Sequence, residues 1–333
     1  MTATGTVLGY AMKGLGMLPR PVRRAVLARA AGGELPPVPD YVRMLEIAGD
    51  LPETGPTDAE LFDRFPQLAA VTVTDVSAGV PARLYRGPLP ESGGPGPRPG
   101  LVWVHGGAFV SGSLTMAEAH FVGLALAARG IPVLTVGYRK ALHGVRYPAG
   151  SDDVLTGWTW AVANADLLGV PPERLCLGGA SAGANLAAGV AKRLRDGAGQ
   201  PPARLALIYP CVHAELPPWE PARLAAVKDN RAAVYFSPGW VAGMSRHYAE
   251  DLDDPYAFPA NGDLTGLPPT LVVNCEHDTL RSSGEAFTVS LRAAGVDVTE
   301  HLEPSATHGC LGEPFTVAAA DVIELMAANI LAR

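Results

Sequence analysis

From residue 101 onward the chain alternates between short apolar runs rich in β-branched residues and longer stretches with helical spacing. The runs "LVWV" (101–104), "IPVLTVGY" (131–138), "RLCLGG" (174–179), "ARLALIYP" (203–210), "PPTLVVNCE" (268–276) and "VTEHLEP" (298–304) read as strands. Between them, "MAEAHFVGLALAARG", "SDDVLTGWTWAVANA", "AGANLAAGVAKRLRD", "SGEAFTVSLRAAG" and the closing "PFTVAAADVIELMAANIL" read as helices. Ser151 is expected to cap the second of these, with Asp152 and Asp153 favouring its start through the helix dipole. Upstream, "AVTVTDV" and "VPARLYRG" alternate as a hairpin, and the Pro/Gly-rich "GPLPESGGPGPRPG" separates them from the first buried strand. Residues 1–65 carry helical patterns broken by Pro and Gly, ending on a capping box at Thr57-Asp58-Ala59-Glu60. Residues 212–250 interrupt the rhythm with Pro and Trp around one helix near "WVAGMSRHYAE".

Strands alternating with helices predict an α/β fold: a mostly parallel sheet covered on both faces, with its chemistry in the loops at the carboxyl ends of strands. The 333 residues are 48% hydrophobic and 18% charged, which suits a compact chain of one large domain, or of one domain with an inserted piece. A net charge of −7 argues against nucleic acid or an anionic membrane as a partner. No apolar run reaches the roughly 18 residues of a membrane span. The amino terminus, interrupted by Lys13 and lacking a basic leader, reads as an amphipathic helix rather than a signal peptide, with lipid contact as the alternative. Cys176, Cys211, Cys275 and Cys310 are widely spaced and form no C-x-x-C pair, so neither a metal site nor a disulfide framework is expected, and the cytoplasm is the expected compartment.

Candidate chemistry begins where the strand at 101–104 empties into His105-Gly106-Gly107. A loop with so little side chain offers chiefly its backbone N–H groups. Further on, Gly179-Ala180-Ser181-Ala182-Gly183 falls between a predicted strand and a predicted helix, the context in which G-x-S-x-G marks a nucleophilic serine. A serine hydroxyl needs a base to take its proton. Among eight histidines, His308 stands just past the last predicted strand, beside Gly309. The imidazole in turn needs a carboxylate, for which the end of "LVVNCEHD" offers Asp278, preferred for lying further into the loop, and Glu276. Each candidate follows a strand, and the order Ser181, Asp278, His308 is that of α/β-hydrolases. The glycine loop would then meet the oxyanion of ester cleavage through Gly107 and Ala108, with Ala182 as third donor; Gly106 keeps the turn tight and His105 braces it.

The chain resembles the hormone-sensitive lipase family of α/β-hydrolases over about residues 65–333, on "HGGAFVSGS", "GYRKALHGVRYPAGSDD", "GASAGANLA", "DDPYAFPANGDLTGLPPTLVV", "DTLRSSGEAF" and "HGC". That resemblance implies an eight-stranded, mostly parallel sheet and a helical cap built from residues 1–65 and about 212–250. It implies small-molecule esters of short to medium acyl chain as substrates and no cofactor or metal, and monomers or homodimers are common in the family. Trp219, Tyr235, Phe236 and Trp240 fall in the expected cap, where they line either a substrate pocket or the cap's own packing. Four departures bear on substrate rather than on catalysis: Ala108 for the last glycine of HGGG, Ala180 for the usual acid before the serine, Lys140-Ala141-Leu142-His143 for the family's L-A-P-E, and Cys310 for an aromatic. They fit a specialised esterase, for instance one for a secondary metabolite. The competing functions are acyl transfer, cyclisation or thioester cleavage on the same triad, a lyase, and a non-catalytic ligand receptor.

Overall fold

A computed structural model describes residues 35–48, 55–88, 98–229 and 234–332. The amphipathic helix expected at the amino terminus and most of the Pro/Gly-rich turn lie outside these ranges.

Eight strands form one sheet in the order β1-β2-β4-β3-β5-β6-β7-β8. They are β1 (Thr72–Ser77), β2 (Pro81–Arg86), β3 (Gly100–Val104), β4 (Val133–Val136), β5 (Leu175–Ala180), β6 (Leu205–Ile208), β7 (Thr270–His277) and β8 (Val298–Thr307). β1 and β2 form the antiparallel hairpin, β2 pairs antiparallel with β4, and every other pairing is parallel. The central strands are apolar on both faces, as a sheet covered on both sides requires. Alternation along β3 sends Val102 and Val104 into one core and Leu101 and Trp103 into the other.

The helices among the described residues are α1 (Val38–Ala48), α2 (Asp58–Arg64), α3 (Ala117–Ala127), α4 (Ala149–Ala163), α5 (Ala165–Leu168), α6 (Ala182–Arg193), α7 (Pro221–Asp229), α8 (Pro238–Tyr248), α9 (Arg281–Ala293) and α10 (Val317–Leu331). α4, α6 and α9 cover one face through residues such as Trp158, Ala187 and Phe287. α3 and α10 cover the other through Phe121, Leu124, Ile323 and Met326. The capping box at α2 is formed in full: Thr57 Oγ1 accepts from Glu60 N, and the Glu60 carboxylate accepts from Thr57 N.

Three local expectations change. α4 begins at Ala149 with Pro148 before it, so Ser151 lies inside the first turn, buried, and accepts a hydrogen bond from Arg193 instead of capping. Asp153 likewise serves tertiary structure: it takes a hydrogen bond from the Arg139 backbone N–H at 2.7 Å and pairs with the Arg139 guanidinium. α7 is an additional helix within 212–250, where only one was expected. The two segments expected to form a cap meet through α1 and α8, where Trp240 donates to the Pro36 carbonyl and lies edge-on to Tyr41.

Candidate active site

Parallel register brings the carboxyl ends of β3, β5, β6, β7 and β8 to one edge of the sheet, and all three residues expected as a triad lie there. Ser181 follows β5 directly, its backbone N–H held by the Ile208 carbonyl at 2.9 Å. Its φ of 54° and ψ of −120° place it on a strained turn from which α6 departs. The flanking glycines explain why the chain can turn so sharply. A Cβ on Gly179 would lie 2.3 Å from the Gly183 carbonyl oxygen, and one on Gly183 would lie 2.2 Å from that of Val104.

His308 follows β8, which runs on through Thr307, three residues beyond the expected strand. Its Nδ1 lies 2.7 Å from Asp278 Oδ2 and its Nε2 lies 2.9 Å from Ser181 Oγ. A carboxylate facing Nδ1 fixes the proton there and leaves Nε2 to accept from the serine hydroxyl. Asp278 is buried, and its other oxygen accepts the Leu280 N–H at 2.8 Å. Glu276, the alternative carboxylate, is turned elsewhere and accepts from Ser305 N at 2.8 Å. Burial alone lowers the His308 pKa; the charge and hydrogen bond of Asp278, joined by the charge of Glu118, outweigh it and hold the imidazole above its ordinary 6.5.

The glycine loop lies against the serine turn: a Cβ on Gly106 would be 3.0 Å from the Ala180 carbonyl oxygen and 3.2 Å from Ser181 Cβ. At Gly107 φ is 121°, and a Cβ would lie 2.2 Å from the Ser111 carbonyl oxygen. Ala108 (φ 52°) and Phe109 (φ 65°) hold the same left-handed region with side chains attached. The backbone N–H groups of Gly107, Ala108 and Ala182 donate to no protein group among the described residues. His105 is buried, with its Nδ1 2.7 Å from the Gly106 carbonyl oxygen.

Four supporting residues escaped the sequence reading. The Tyr138 hydroxyl donates to the carbonyls of His105 and Gly106 while its ring stacks on His105 at 4.5 Å. Thr279 accepts from Phe236 N through its hydroxyl and from Trp219 Nε1 through its carbonyl, fastening both to the residue beside Asp278. Tyr209, just past β6 at φ 39°, lies edge-on to His308 at 4.9 Å. Glu118 accepts from Gly106 N at 2.6 Å and from the Tyr209 hydroxyl at 2.7 Å. A usable signal existed for Glu118 alone: it is an acid on a helix apolar all round, so burial beside a partner was to be expected.

Of the four expected pocket residues, Phe236 reaches the site, with its ring edge-on to His308 at 5.1 Å. Trp240 packs behind it at 5.5 Å, Trp219 reaches the Thr279 carbonyl, and Tyr235 is half-buried beside Phe236. All four cysteines are free thiols, yet folding brings two together, with the buried Cys275 and Cys310 Sγ atoms 3.8 Å apart. Among the described residues no helix is long and apolar enough to cross a membrane, and no cluster of side chains could hold a metal ion.

Comparison with known proteins agrees with this architecture. The profile of the alpha/beta hydrolase fold family matches residues 101–312. Carboxylesterase NlhH of Mycobacterium tuberculosis is 35% identical over 247 residues, covering 72% of this chain and 74% of its own. Ethyl acetate hydrolase of Pseudomonas putida is 33% identical, with 69% and 70% covered. Among solved structures, an esterase of Pyrobaculum calidifontis superposes with a TM-score of 0.70 at 28% identity, over 92% of this chain and 97% of that one.

Proposed function

The chain belongs to the alpha/beta hydrolase fold family, in its hormone-sensitive-lipase-like branch, and is a carboxylic ester hydrolase; we propose that it cleaves small esters of short to medium acyl chain through an acyl-enzyme on Ser181. The observation that carries this reading is the continuous hydrogen-bonded line from Asp278 through both nitrogens of His308 to Ser181 Oγ.

In this mechanism Ser181 Oγ attacks the ester carbonyl while His308 Nε2 takes its proton. The oxyanion that forms is received by the N–H groups of Gly107, Ala108 and Ala182, each such donor being worth roughly 10²–10³ in rate. The imidazolium, balanced by Asp278, returns the proton to the departing alcohol, leaving the acyl group on Ser181. Water, deprotonated by the same imidazole, then releases the acid and restores the serine. Phe236, edge-on to His308, stands at the wall of the substrate pocket and limits the group that can lie against the imidazole. The small substrate named for the Pseudomonas putida relative favours a short acyl chain here. The departures at Ala108, Ala180, Leu142-His143 and Cys310 favour a substrate of its own, such as an ester of a secondary metabolite.

The deciding experiment is hydrolysis of p-nitrophenyl acetate and butyrate by Ser181→Ala, together with fluorophosphonate labelling of the wild type. Turnover is expected to fall by at least roughly 10⁴-fold in the variant, and the label to land on Ser181. Undiminished turnover, or a label elsewhere, overturns the reading.

A further inference from the structure

A second buried carboxylate stands behind the candidate triad. Glu118 lies on the first turn of α3, 5% exposed, on a helix whose other buried positions are all apolar or glycine. Its backbone is fixed by the Trp103 indole, which donates to the Glu118 carbonyl at 3.3 Å. Its two carboxylate oxygens take one donor each: Oε1 the Gly106 N–H and Oε2 the Tyr209 hydroxyl. Gly106 belongs to the glycine loop, and the Tyr209 ring bears on His308, so one side chain joins the loop that offers N–H groups to the support of the imidazole. One feature marks strain in the arrangement and another marks its close packing. Tyr209 keeps a positive φ although it is bulky and buried, and a Cβ on Gly106 would lie 2.8 Å from Glu118 Oε1. Burial raises the Glu118 pKa, while the Tyr209 hydroxyl, the Gly106 N–H and the charge of His308 pull against it; the two donors aimed at the carboxylate are what favour its ionised form in this cradle. Ala180 leaves the place before the serine without an acid, so Glu118 is the carboxylate that reaches the loop.

We infer that Glu118 is a positioning residue for ester cleavage, which sets the oxyanion loop through Gly106, steadies His308 through Tyr209, and places a second negative charge behind the imidazolium. The inference rests on the esterase reading above. It assigns Gly106 N–H to Glu118 and so leaves the oxyanion to Gly107, Ala108 and Ala182. Among the described residues, the groups facing His308 that carry or can carry charge are Asp278 from the β7 loop, Glu118 from α3 and the Tyr209 phenol from just past β6. Removing the charge at 118 therefore leaves Asp278 alone to favour the imidazolium.

The test uses the full chain with p-nitrophenyl butyrate and three variants. Glu118→Gln keeps the shape and an acceptor for Gly106 but not the charge. Tyr209→Phe cuts one arm while keeping the ring, and Glu118→Ala cuts both arms. Glu118→Ala is expected to lower kcat by roughly 10²-fold, the scale of a small misplacement of reacting groups, with KM changed by less than about threefold. Glu118→Gln recovers most of that kcat and moves the acid limb of kcat/KM to lower pH. Tyr209→Phe lowers kcat several-fold without moving KM. If Glu118→Ala does not fold, the other two variants decide. Wild-type kcat and an unmoved acid limb in both Glu118→Gln and Tyr209→Phe overturn the inference, even if their melting temperatures fall, because a purely structural role predicts that result. A wild type that neither hydrolyses the ester nor takes the fluorophosphonate overturns the esterase reading instead.

Discussion

At the scale of single residues, the site depends on groups whose protonation is set by what surrounds them. The pKa of His308 is held above 6.5 because Asp278 and Glu118 outweigh the effect of burial. The proposed mechanism needs the neutral imidazole, so kcat/KM is expected to rise with pH along a limb whose midpoint lies above 6.5. The same shift makes the imidazolium a source of stability that is fully present below pH 6.5 and lost as pH climbs through the folded value. Asp278→Asn should move the limb to lower pH and reduce kcat by roughly 10³–10⁴, by leaving the imidazole in the wrong tautomer. A pH–rate series on both proteins checks this, and an unmoved limb counts against Asp278 as the partner of His308.

At the scale of elements, the packing of strand ends against helix starts leaves no room for added atoms. Gly183 is the second residue of α6, and a Cβ there would lie 2.2 Å from the carbonyl oxygen of Val104 and 2.4 Å from that of His105. Both obstacles are backbone, so Gly183→Ala must push α6 away from β3. The expected cost is roughly 1–3 kcal/mol in urea denaturation, with a larger proportional loss of turnover because Ser181 moves with the helix. Unchanged stability would mean that the junction yields more easily than its geometry implies. Elements were also the scale most legible in the sequence. Each central strand announced itself as an apolar run, and Ser181 and Asp278 could be picked out because each closely follows one, His308 because it comes just past the more polar edge strand β8. Tyr209 and Tyr138 were hidden because their roles come from contacts across the sheet edge, each reading as the tail of a strand; Glu118, an acid on an apolar helix, signalled burial but not which groups it would meet. The approach of Cys275 to Cys310, 35 positions apart, was hidden for the same reason. Ser151 misled because a capping residue type sits two places inside a helix that Pro148 already begins.

Across the whole molecule, many weak acids are buried unionised. Burial pushes the Tyr85 phenol up to about 12, the Cys176 thiol to about 11 and the Cys211 thiol to about 12, and it raises Tyr138, Tyr209 and Tyr248 as well. The unfolded chain releases these protons at their ordinary values, from near pH 9 for thiols and near 10 for phenols, whereas the folded protein holds them longer. Stability from this source is complete below those values and falls as pH rises through the folded ones. The melting temperature should therefore decline steeply above about pH 10, and a thermal series between pH 8 and 11 tests it; a flat profile would mean that these groups ionise without unfolding.

In the proposed mechanism the sheet edge also dictates when turnover can begin. Its contributors enter in chain order as the loop at 105, the acid at 118, the serine at 181, the tyrosine at 209, the carboxylate at 278 and, last, the imidazole at 308 on an outermost strand that pairs only with β7. No shorter stretch holds a working set, and the final docking closes the longest separations in the site. During refolding, substrate cleavage should thus lag behind secondary structure and report the arrival of that last strand, which makes an enzymatic assay a stopwatch for completion of the fold.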